Sequence, residues 1–405
     1  MSQAMSNAIC YPKGFLANGI HCGVRKNRTK RDLALIYSEK PCSAAAVYTL
    51  NKVKGAPIYV TKNNLKDGKA QAMICNSGNA NTCNANGIEI AEGMCSLCAD
   101  ALQIKKEDII VASTGVIGEP MSLEPFATHM QTLVDGLNAQ AGSDACEAIM
   151  TTDTVKKEFI SDVVIDGVQC RLGIMAKGSG MIHPNMATML AFVTTDVNIT
   201  SEMLQKALLS VVQDTFNMVS VDGDTSTNDT LAIMANGVAG NALIDCENEA
   251  YALFRQALYD VCEAASRLMA KDGEGATKLL TASVVNAPDV QTAKIAAKSI
   301  ITSSLFKAAM FGKDANWGRI LCALGYCDAD FDIQKIDVTL SSTKGSIQVC
   351  QNGAGCGFDE DKALEILSED EIIIAVDMKQ GEASATAWGC DLTYDYVKIN
   401  GDYRT

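Results

Sequence analysis

Residues 177–192 read KGSGMIHPNMATMLAF, a stretch that joins a turn to the start of a buried strand. Its first half is rich in turn residues, since the glycines permit unusual backbone angles and Pro184 restricts the residue before it. Its second half contains the apolar run Met189–Val193, which predicts a buried strand beginning at Thr188. The pattern therefore places a small hydroxyl residue at the point where a kinked loop enters a core strand.

The Ala187–Thr188 peptide bond is a candidate for self-cleavage. A strained bond at such a place can be attacked by the hydroxyl of the residue that follows it. Cleavage would give Thr188 a free α-amine, whose pKa in model peptides is about 7.7–8.0. That amine could act as the base for its own hydroxyl, the pairing of a threonine with its N-terminal amine. The residues alone also allow a simpler interpretation, in which Thr188 is an ordinary strand residue after a turn.

The composition and charge exclude several classes of protein. The chain has 405 residues, of which 48% are hydrophobic and 20% are charged, as in ordinary globular proteins of two or three domains. A formal net charge of −14 argues against a nucleic-acid partner, because phosphate binding requires a basic surface. No apolar stretch approaches the roughly 20 residues that span a bilayer, and the N-terminal residues lack the apolar core of a signal peptide. We therefore expect a cytoplasmic protein without a membrane partner.

The sixteen cysteines and three histidines do not form a metal-binding pattern. In a reducing compartment the cysteines are expected to be free thiols. Cys95 and Cys98 form a C-x-x-C, but helical spacing places them on one face with Met94 and Leu102, which predicts a role in the core. No second cysteine pair follows at zinc spacing, and we expect neither a metal site nor a bound cofactor.

Small polar residues follow several predicted strands and could carry chemistry. The buried strand at 109–112 runs into Ser113-Thr114-Gly115, whose N–H groups and threonine hydroxyl could form an oxyanion hole. The stretch Asp222–Thr230 holds enough side-chain oxygens for a cation, although its spacing is not that of a calcium loop. Lys177 could anchor a carboxylate and Glu274 an ammonium group. A surface lysine and an exposed loop glutamate remain open alternatives.

Patterning also predicts the secondary structure around these stretches. The dipeptide Asp166-Gly167 predicts a hairpin, and Asn248–Lys271 a long helix. Ala385–Ile399 has the alternation of a strand. Further short strands are predicted at 33–37, 45–49, 57–61 and 70–75. Seven prolines and no internal repeat favour compact layers over a tethered array of modules.

The stretch 177–192 closely resembles the self-cleavage segment of the ornithine acetyltransferase family of arginine biosynthesis. In that family the break falls between Ala and Thr, and the new N-terminal Thr is the nucleophile that carries the acyl group. The resemblance covers essentially the whole chain. The other segments that carry it are Ser77–Asn81, Ser113–Gly118, Met150–Thr154, Ser220–Asp224, Asp272–Lys278, Asn316–Arg319 and the tail Asn400–Thr405.

The resemblance implies a role for individual residues. Cleavage between Ala187 and Thr188 would give an alpha chain, 1–187, and a beta chain, 188–405, that begins with the nucleophile Thr188. Thr114 and Gly115 would form the oxyanion site. The implied substrate contacts are Thr151, Lys177, Thr188, Glu274, Asn400 and Thr405, and whether Thr151 or Thr152 makes its contact stays open.

The same resemblance implies a reaction and a fold. The acetyl group of N2-acetylornithine would pass through an acetyl-Thr188 ester to glutamate, which yields ornithine and N-acetylglutamate. Acetyl-CoA is a possible second acetyl donor, and the alpha and beta chains would assemble as α2β2. The implied fold is α/β: a layered α-β-β-α sandwich with mixed sheets, N-terminal-nucleophile-like, plus a smaller C-terminal α/β part.

Two other functions remain alternatives at this point. A self-processing amidase or aminopeptidase would use the same nucleophile and give its acyl group to water. A binding protein without catalysis would hold a cationic ligand in the acidic loops at 222–229 and 272–274.

Overall fold

A computed structural model describes residues 2–27, 29–183 and 189–402. The chain divides into two compact units, each built from several segments. Unit 1 comprises Met1–Gly178, Pro184–Asn217 and Thr225–Ala265, and unit 2 comprises Ser179–His183, Met218–Asp224 and Ser266–Thr405. Both units therefore take residues from either side of position 187.

The strands and helices alternate along the chain. The strands are β1 Gln3–Ala4, β2 Phe15–Ile20, β3 Leu33–Tyr48, β4 Lys69–Asn79, β5 Ile109–Val116, β6 Lys157–Ile165, β7 Val168–Lys177, β8 Leu190–Thr195, β9 Val219–Ser220, β10 Thr230–Ala235, β11 Leu279–Ala287, β12 Asp337–Ser342, β13 Gly345–Gln351, β14 Ala354–Gly355, β15 Glu371–Asp377 and β16 Ala383–Cys390. The α-helices are α1 Ala56–Asn64, α2 Gly87–Leu102, α3 Glu124–Asp135, α4 Gly142–Ile149, α5 Ser201–Asp214, α6 Glu249–Lys271, α7 Val290–Thr302, α8 Ser304–Phe311, α9 Trp317–Gly325, α10 Glu360–Leu367 and α11 Tyr394–Asp402.

The sheet of unit 1 is built around the long strand β3. Within the described residues its order is β1-β6-β7-β8-β10-β3-β4-β5, with β2 also paired to β3. The first half of β3 pairs with β2 and β4, and its register with β4 shifts between Tyr37 and Cys42. Residues 43–48 instead pair with β10. A single strand therefore joins two halves of the sheet, and a bulge lets a strand turn in this way.

An apolar cluster lies between these two halves. It takes Ile36, Cys75 and Ala112 from the β3–β4–β5 half, and Met175 and Phe192 from the β7–β8 half. Alternate side chains of β4 and β5 point the other way, toward a second cluster with α2 and α3. Helices α2 and α3 therefore cover one face of β4 and β5, whereas α4 contributes Ala145 and Ile149 to the first cluster. The layering of helices and strands agrees with the α/β fold that the resemblance implied.

Unit 2 contains a smaller mixed sheet. Among the described residues its order is β14-β13-β12-β15-β11-β16-β9. The pairs β11–β15 and β16–β9 are parallel, whereas β11–β16 and β12–β15 are antiparallel. Helix α7 packs on β11 and β16, and α10 packs on β12. The prediction of an α/β fold with mixed sheets and a smaller C-terminal α/β part is confirmed.

Two local predictions, the hairpin at 166–167 and the burial of Cys95 and Cys98 in the core, are also confirmed. Strands β6 and β7 form a hairpin around Asp166 and Gly167, whose φ angles of +50° and +80° suit a tight turn. Cys95 and Cys98 are fully buried in the cluster with α2, and the structure, which describes all sixteen cysteines, pairs none of them in a disulfide. Within the described ranges no helix combines the length and the apolar character that crossing a membrane requires.

Two strand predictions were wrong. Residues 57–61 belong to helix α1, in which Pro57 occupies the first turn, where its missing N–H costs nothing. The run predicted as one strand at Ala385–Ile399 is the end of β16 followed by helix α11. In both places β-branched or aromatic residues suggested a strand, but the tertiary structure overrides that preference.

Candidate active site

Thr114 and Gly115 lie at the end of β5, beside the parallel strand β4. Thr114 pairs with Ser77, and Gly115 with Gly78. Gly115 has φ +129°, and a Cβ built on it would lie 2.4 Å from the backbone carbon of Gly78. Only glycine fits where the backbones of β5 and β4 approach each other so closely. Thr114 is buried, so the structure places the predicted oxyanion residues on a rigid strand end.

Asn228 fixes the neighbouring backbone. Its side-chain N–H groups donate to the carbonyls of Ala80, at 2.5 Å, and Ser113, at 2.9 Å. Its Oδ1 accepts hydrogen bonds from the hydroxyls of Thr82 and Thr227. The amide is therefore fully engaged in holding the loop after β4 against the residue that precedes Thr114.

Lys177 and Thr151, two of the predicted substrate contacts, touch each other. Lys177 ends β7, and its Nζ donates to the Thr151 hydroxyl at 3.2 Å. The Ser77 hydroxyl donates to the carbonyl of Ala148 at 2.6 Å, three residues before Thr151. Since Ser77 is the strand neighbour of Thr114, α4 and the turn after it link the oxyanion residues to Lys177.

Burial and two carboxyl groups control the charge of Lys177. Burial lowers the pKa of its amine, and the nearby carboxyls of Asp153 and Asp229 oppose that shift. A buried cation beside a hydroxyl suits a carboxylate ligand, because a charge-assisted hydrogen bond forms there without competition from water.

Asp153 is the hub of the polar contacts around Lys177. Its Oδ1 accepts from Lys157 Nζ at 2.7 Å and from the Gly178 N–H at 2.6 Å, and its Oδ2 accepts from the Thr151 N–H at 3.0 Å. Burial opposes ionisation of this carboxyl, but the ammonium groups of Lys157 and Lys177 and the hydrogen bonds outweigh it and lower its pKa to about 2. Asp153 therefore stays charged and fixes the backbone at Thr151 and at Gly178, the residue after Lys177.

Asp229 is a second buried carboxyl in unit 1. It is 2% exposed, and within the described part of the chain its Oδ2 has no hydrogen-bond partner. Burial raises its pKa well above the ordinary value, against the lowering influence of the Ser226 and Thr49 hydroxyls and of Lys177. The side chain consequently favours the neutral acid in the folded protein.

The strand that follows the proposed break begins close to its predicted position. β8 starts at Leu190, and its side neighbours are Lys177 of β7 and Thr230 of β10. The Met189 carbonyl accepts from the Thr230 N–H at 2.9 Å. Three predicted site residues, Ala187, Thr188 and Thr405, lie outside the described residues.

The two remaining predicted contacts meet in unit 2. Asn400, on α11, donates from Nδ2 to Oε2 of Glu274 at 2.8 Å. The Glu274 N–H donates to the Ser179 carbonyl at 2.9 Å. An acidic side chain held by a neutral amide keeps its negative charge available for a cationic ligand.

The structure also shows contacts that the sequence did not predict. Asp153 falls within the Met150–Thr154 segment, but no local pattern indicated that it binds Lys157 and the backbone of Gly178. Asp222, from the acidic stretch considered as a cation site, accepts hydrogen bonds from two backbone N–H groups. Among the described residues no three His, Cys, Asp or Glu side chains come together as a metal site requires.

Comparison with known proteins identifies the family. The ArgJ family model matches residues 16–405. An arginine biosynthesis bifunctional protein ArgJ from Caldanaerobacter subterraneus subsp. tengcongensis is 50% identical over 404 residues, which is 100% of both chains. ArgJ 1 of Clostridium acetobutylicum is 49% identical over 392 residues, 96% of each chain. The crystal structure of ArgJ from Bacillus halodurans has 44% identity and a TM-score of 0.50, and it covers 52% of this chain and 98% of its own. From the family match along nearly its whole length, we conclude that this chain belongs to the ArgJ family.

Proposed function

We infer that this chain is an acetyltransferase of arginine biosynthesis that moves an acetyl group from N2-acetylornithine to glutamate. The full-length similarity to bifunctional ArgJ proteins supports the pathway and the enzyme class. The observation that carries the substrate assignment is the part-buried contact between Lys177 and Thr151, which suits the α-carboxylate of an amino acid.

The first step of the proposal is self-cleavage. The Thr188 hydroxyl attacks the carbonyl carbon of Ala187, the C–N bond breaks, and the nitrogen leaves as the α-amine of Thr188. Water then hydrolyses the ester that joins the two residues. The products are the alpha chain 1–187, with a new carboxylate, and the beta chain 188–405, with a free amine beside the nucleophile.

The second step is acetyl transfer in two halves. The Thr188 amine takes the hydroxyl proton as Thr188 attacks the acetyl carbonyl, and the Thr114 hydroxyl and Gly115 N–H stabilise the oxyanion. Ornithine leaves with that proton on its amine, and the acetyl group stays on Thr188. The glutamate amine then attacks the ester, N-acetylglutamate departs, and the threonine hydroxyl is restored.

Substrate recognition is divided between charges of opposite sign. Lys177 would hold the α-carboxylate, with Thr151 beside it. Glu274, supported by Asn400, would bind the distal ammonium of ornithine, and Thr405 would add the contact of the chain end. Opposite charges at the two ends of the substrate select an amino acid with a cationic side chain.

Half-length chains among the relatives support the cleavage. The Bacillus halodurans crystal chain is matched over 98% of its length, yet it covers 52% of this chain. The full-length Caldanaerobacter relative matches throughout. Residues 188–405 make up slightly more than half of the 405 residues, so a beta chain has the size of that crystal chain. We further propose an α2β2 assembly, a cytoplasmic location and acetyl-CoA as a second acetyl donor.

Electrophoresis under denaturing conditions and a transfer assay test this function. The purified protein is expected to show two fragments, one of which begins Thr188-Met189-Leu190 on N-terminal sequencing. Thr188→Ala should stay whole and inactive, whereas Thr152→Ala, next to the proposed contact, should still cleave. An uncleaved and fully active Thr188→Ala protein would refute the mechanism. Ornithine release that ignores added glutamate would instead identify a hydrolase.

A further inference from the structure

Residues 179–183, just before the proposed break, are held tightly by unit 2. The Ile182 carbonyl accepts from the Val221 N–H at 2.7 Å, and the Ser179 carbonyl accepts from the Glu274 N–H. This short segment therefore adds a backbone contact at the edge where β9 lies. Its path is fixed although the segment itself is neither a helix nor a strand.

Asp222 provides the closest contacts to this segment. Its Oδ2 accepts from the Met181 N–H at 2.6 Å, and its Oδ1 accepts from the Ile182 N–H at 2.9 Å. Both carboxylate oxygens thus bind two successive N–H groups of one turn. We name this arrangement the Asp222 clamp.

The clamp holds a backbone conformation that is unfavourable by itself. Met181 has φ +56°, in the left-handed region, which is unfavourable for a residue such as methionine. A conformation of this kind persists only where surrounding contacts enforce it, and here Asp222 supplies them.

We propose that Asp222 is a positioning residue for cleavage of the Ala187–Thr188 bond, which it promotes by holding the left-handed turn at Met181. The inference rests on the proposed self-cleavage and adds a residue distant in sequence that controls its rate. Asp222 takes no part in bond making. Its carboxylate acts by stabilising the left-handed conformation of Met181, six positions before Ala187 in the sequence.

The test follows precursor loss after cell-free synthesis is stopped, with electrophoresis at timed intervals. Asp222→Asn keeps one acceptor oxygen of the two, and its cleavage is expected to slow about tenfold or more, which corresponds to ~1.4 kcal/mol in the barrier. Asp224→Asn, two residues away in the same loop, is the matched control and should cleave at the wild-type rate. Folding is checked by comparing melting temperatures in the uncleavable Thr188→Ala background.

A rescue separates positioning from general stability. Glycine adopts the left-handed conformation at no steric cost, so Met181→Gly added to Asp222→Asn should recover part of the lost rate. Should Asp222→Asn fail to fold, Met181→Val tests the same turn with Asp222 intact, since a β-branched side chain opposes positive φ. That variant should cleave several-fold more slowly.

The outcomes distinguish this inference from the proposed function. A wild-type chain that never cleaves would contradict the self-cleavage itself. A wild-type chain that cleaves, with Asp222→Asn or Met181→Val cleaving equally fast, would overturn only the role of the clamp. Slow cleavage by Asp222→Asn that Met181→Gly fails to improve would also reject it, because the turn would then not be the element that Asp222 acts on.

Discussion

Replacing Asp153 by asparagine should destabilise unit 1, because it removes a negative charge that faces two buried lysines. The Asp153–Lys157 pair has both side chains fully buried at an Oδ1–Nζ distance of 2.7 Å. The amine of Lys177, which is also buried, interacts electrostatically with the same carboxylate. Asparagine keeps the size of the side chain and an acceptor oxygen, so the change isolates the charge.

Two lines of reasoning give the magnitude. The pKa of Asp153 falls from 3.8 to about 2 in the folded protein, and at ~1.4 kcal/mol for each pH unit this corresponds to about 2.5 kcal/mol of stability at neutral pH. Removing one partner of a buried ion pair costs about 3–5 kcal/mol, since the other charge is left uncompensated. We expect a loss of about 3 kcal/mol.

The pH dependence provides the decisive assay. Because the folded pKa is depressed, the stabilisation is complete above pH 4 and is lost as the pH falls toward 2. Thermal or urea unfolding of Asp153→Asn in the Thr188→Ala background should show a large deficit at pH 7 that shrinks by pH 3. Asp162→Asn, which alters an exposed carboxyl bonded to Tyr11, is the control and should change little. A deficit below ~1 kcal/mol at pH 7, or one equal at both pH values, would refute the argument.

Three further substitutions probe the site. Gly115→Ala should abolish transfer and lower the melting temperature because its Cβ meets the Gly78 backbone, whereas Gly118→Ala, also at positive φ but with no atom within 4 Å, should cost only about 1–2 kcal/mol. Asp229→Asn should become more stable relative to the wild type as the pH rises from 4 to 7, as measured by unfolding at each pH. The folded pKa of Asp229 is raised, so its carboxyl ionises more readily in the unfolded chain and the wild type loses stability over this range. Glu274→Gln should raise KM for N2-acetylornithine roughly 10- to 100-fold in steady-state assays, with a smaller effect on kcat, since a hydrogen bond between charged groups contributes about 1.5–3 kcal/mol; an unchanged KM would remove Glu274 from the substrate site.

The sequence predicted best those parts of the site where local pattern and tertiary structure agree. Thr114 and Gly115 were expected where a buried strand ends, and they lie at the end of β5, where no Cβ fits on Gly115. Thr151 and Lys177, separated by 25 residues, were both expected to contact substrate, and the structure brings their side chains together. The motif and the fold impose the same requirement at these positions.

The prediction failed where distant contacts decide the outcome. Ile58, Val60 and Thr61 favour a strand locally, but they form part of α1. The Thr61 hydroxyl accepts a hydrogen bond from the Val111 N–H and donates one to the Val111 carbonyl. Helix α1 thereby covers the free edge of β5. No local pattern could reveal that contact, because its partner lies 50 residues away.

Charge networks were equally hidden. Asp153 stands among threonines, and no local pattern marks Lys157 as its partner. Their pairing depends on the path of the backbone from the end of α4 to the start of β6, and that path is set by the folded chain. The same holds for Asp222, because the backbone N–H groups that it binds carry no sequence signature.

The position of β8 and β10 has a consequence for the cut protein. These two strands lie between β7 and β3, with six residue pairs joining β8 to β7 and six joining β10 to β3. If the backbone is severed after Ala187, the two inner strands belong to one polypeptide and their outer neighbours to the other. Dissociation would tear open two hydrogen-bonded edges at once, so the halves should behave as a permanent pair that neither exchanges partners nor reassembles readily from separately made pieces.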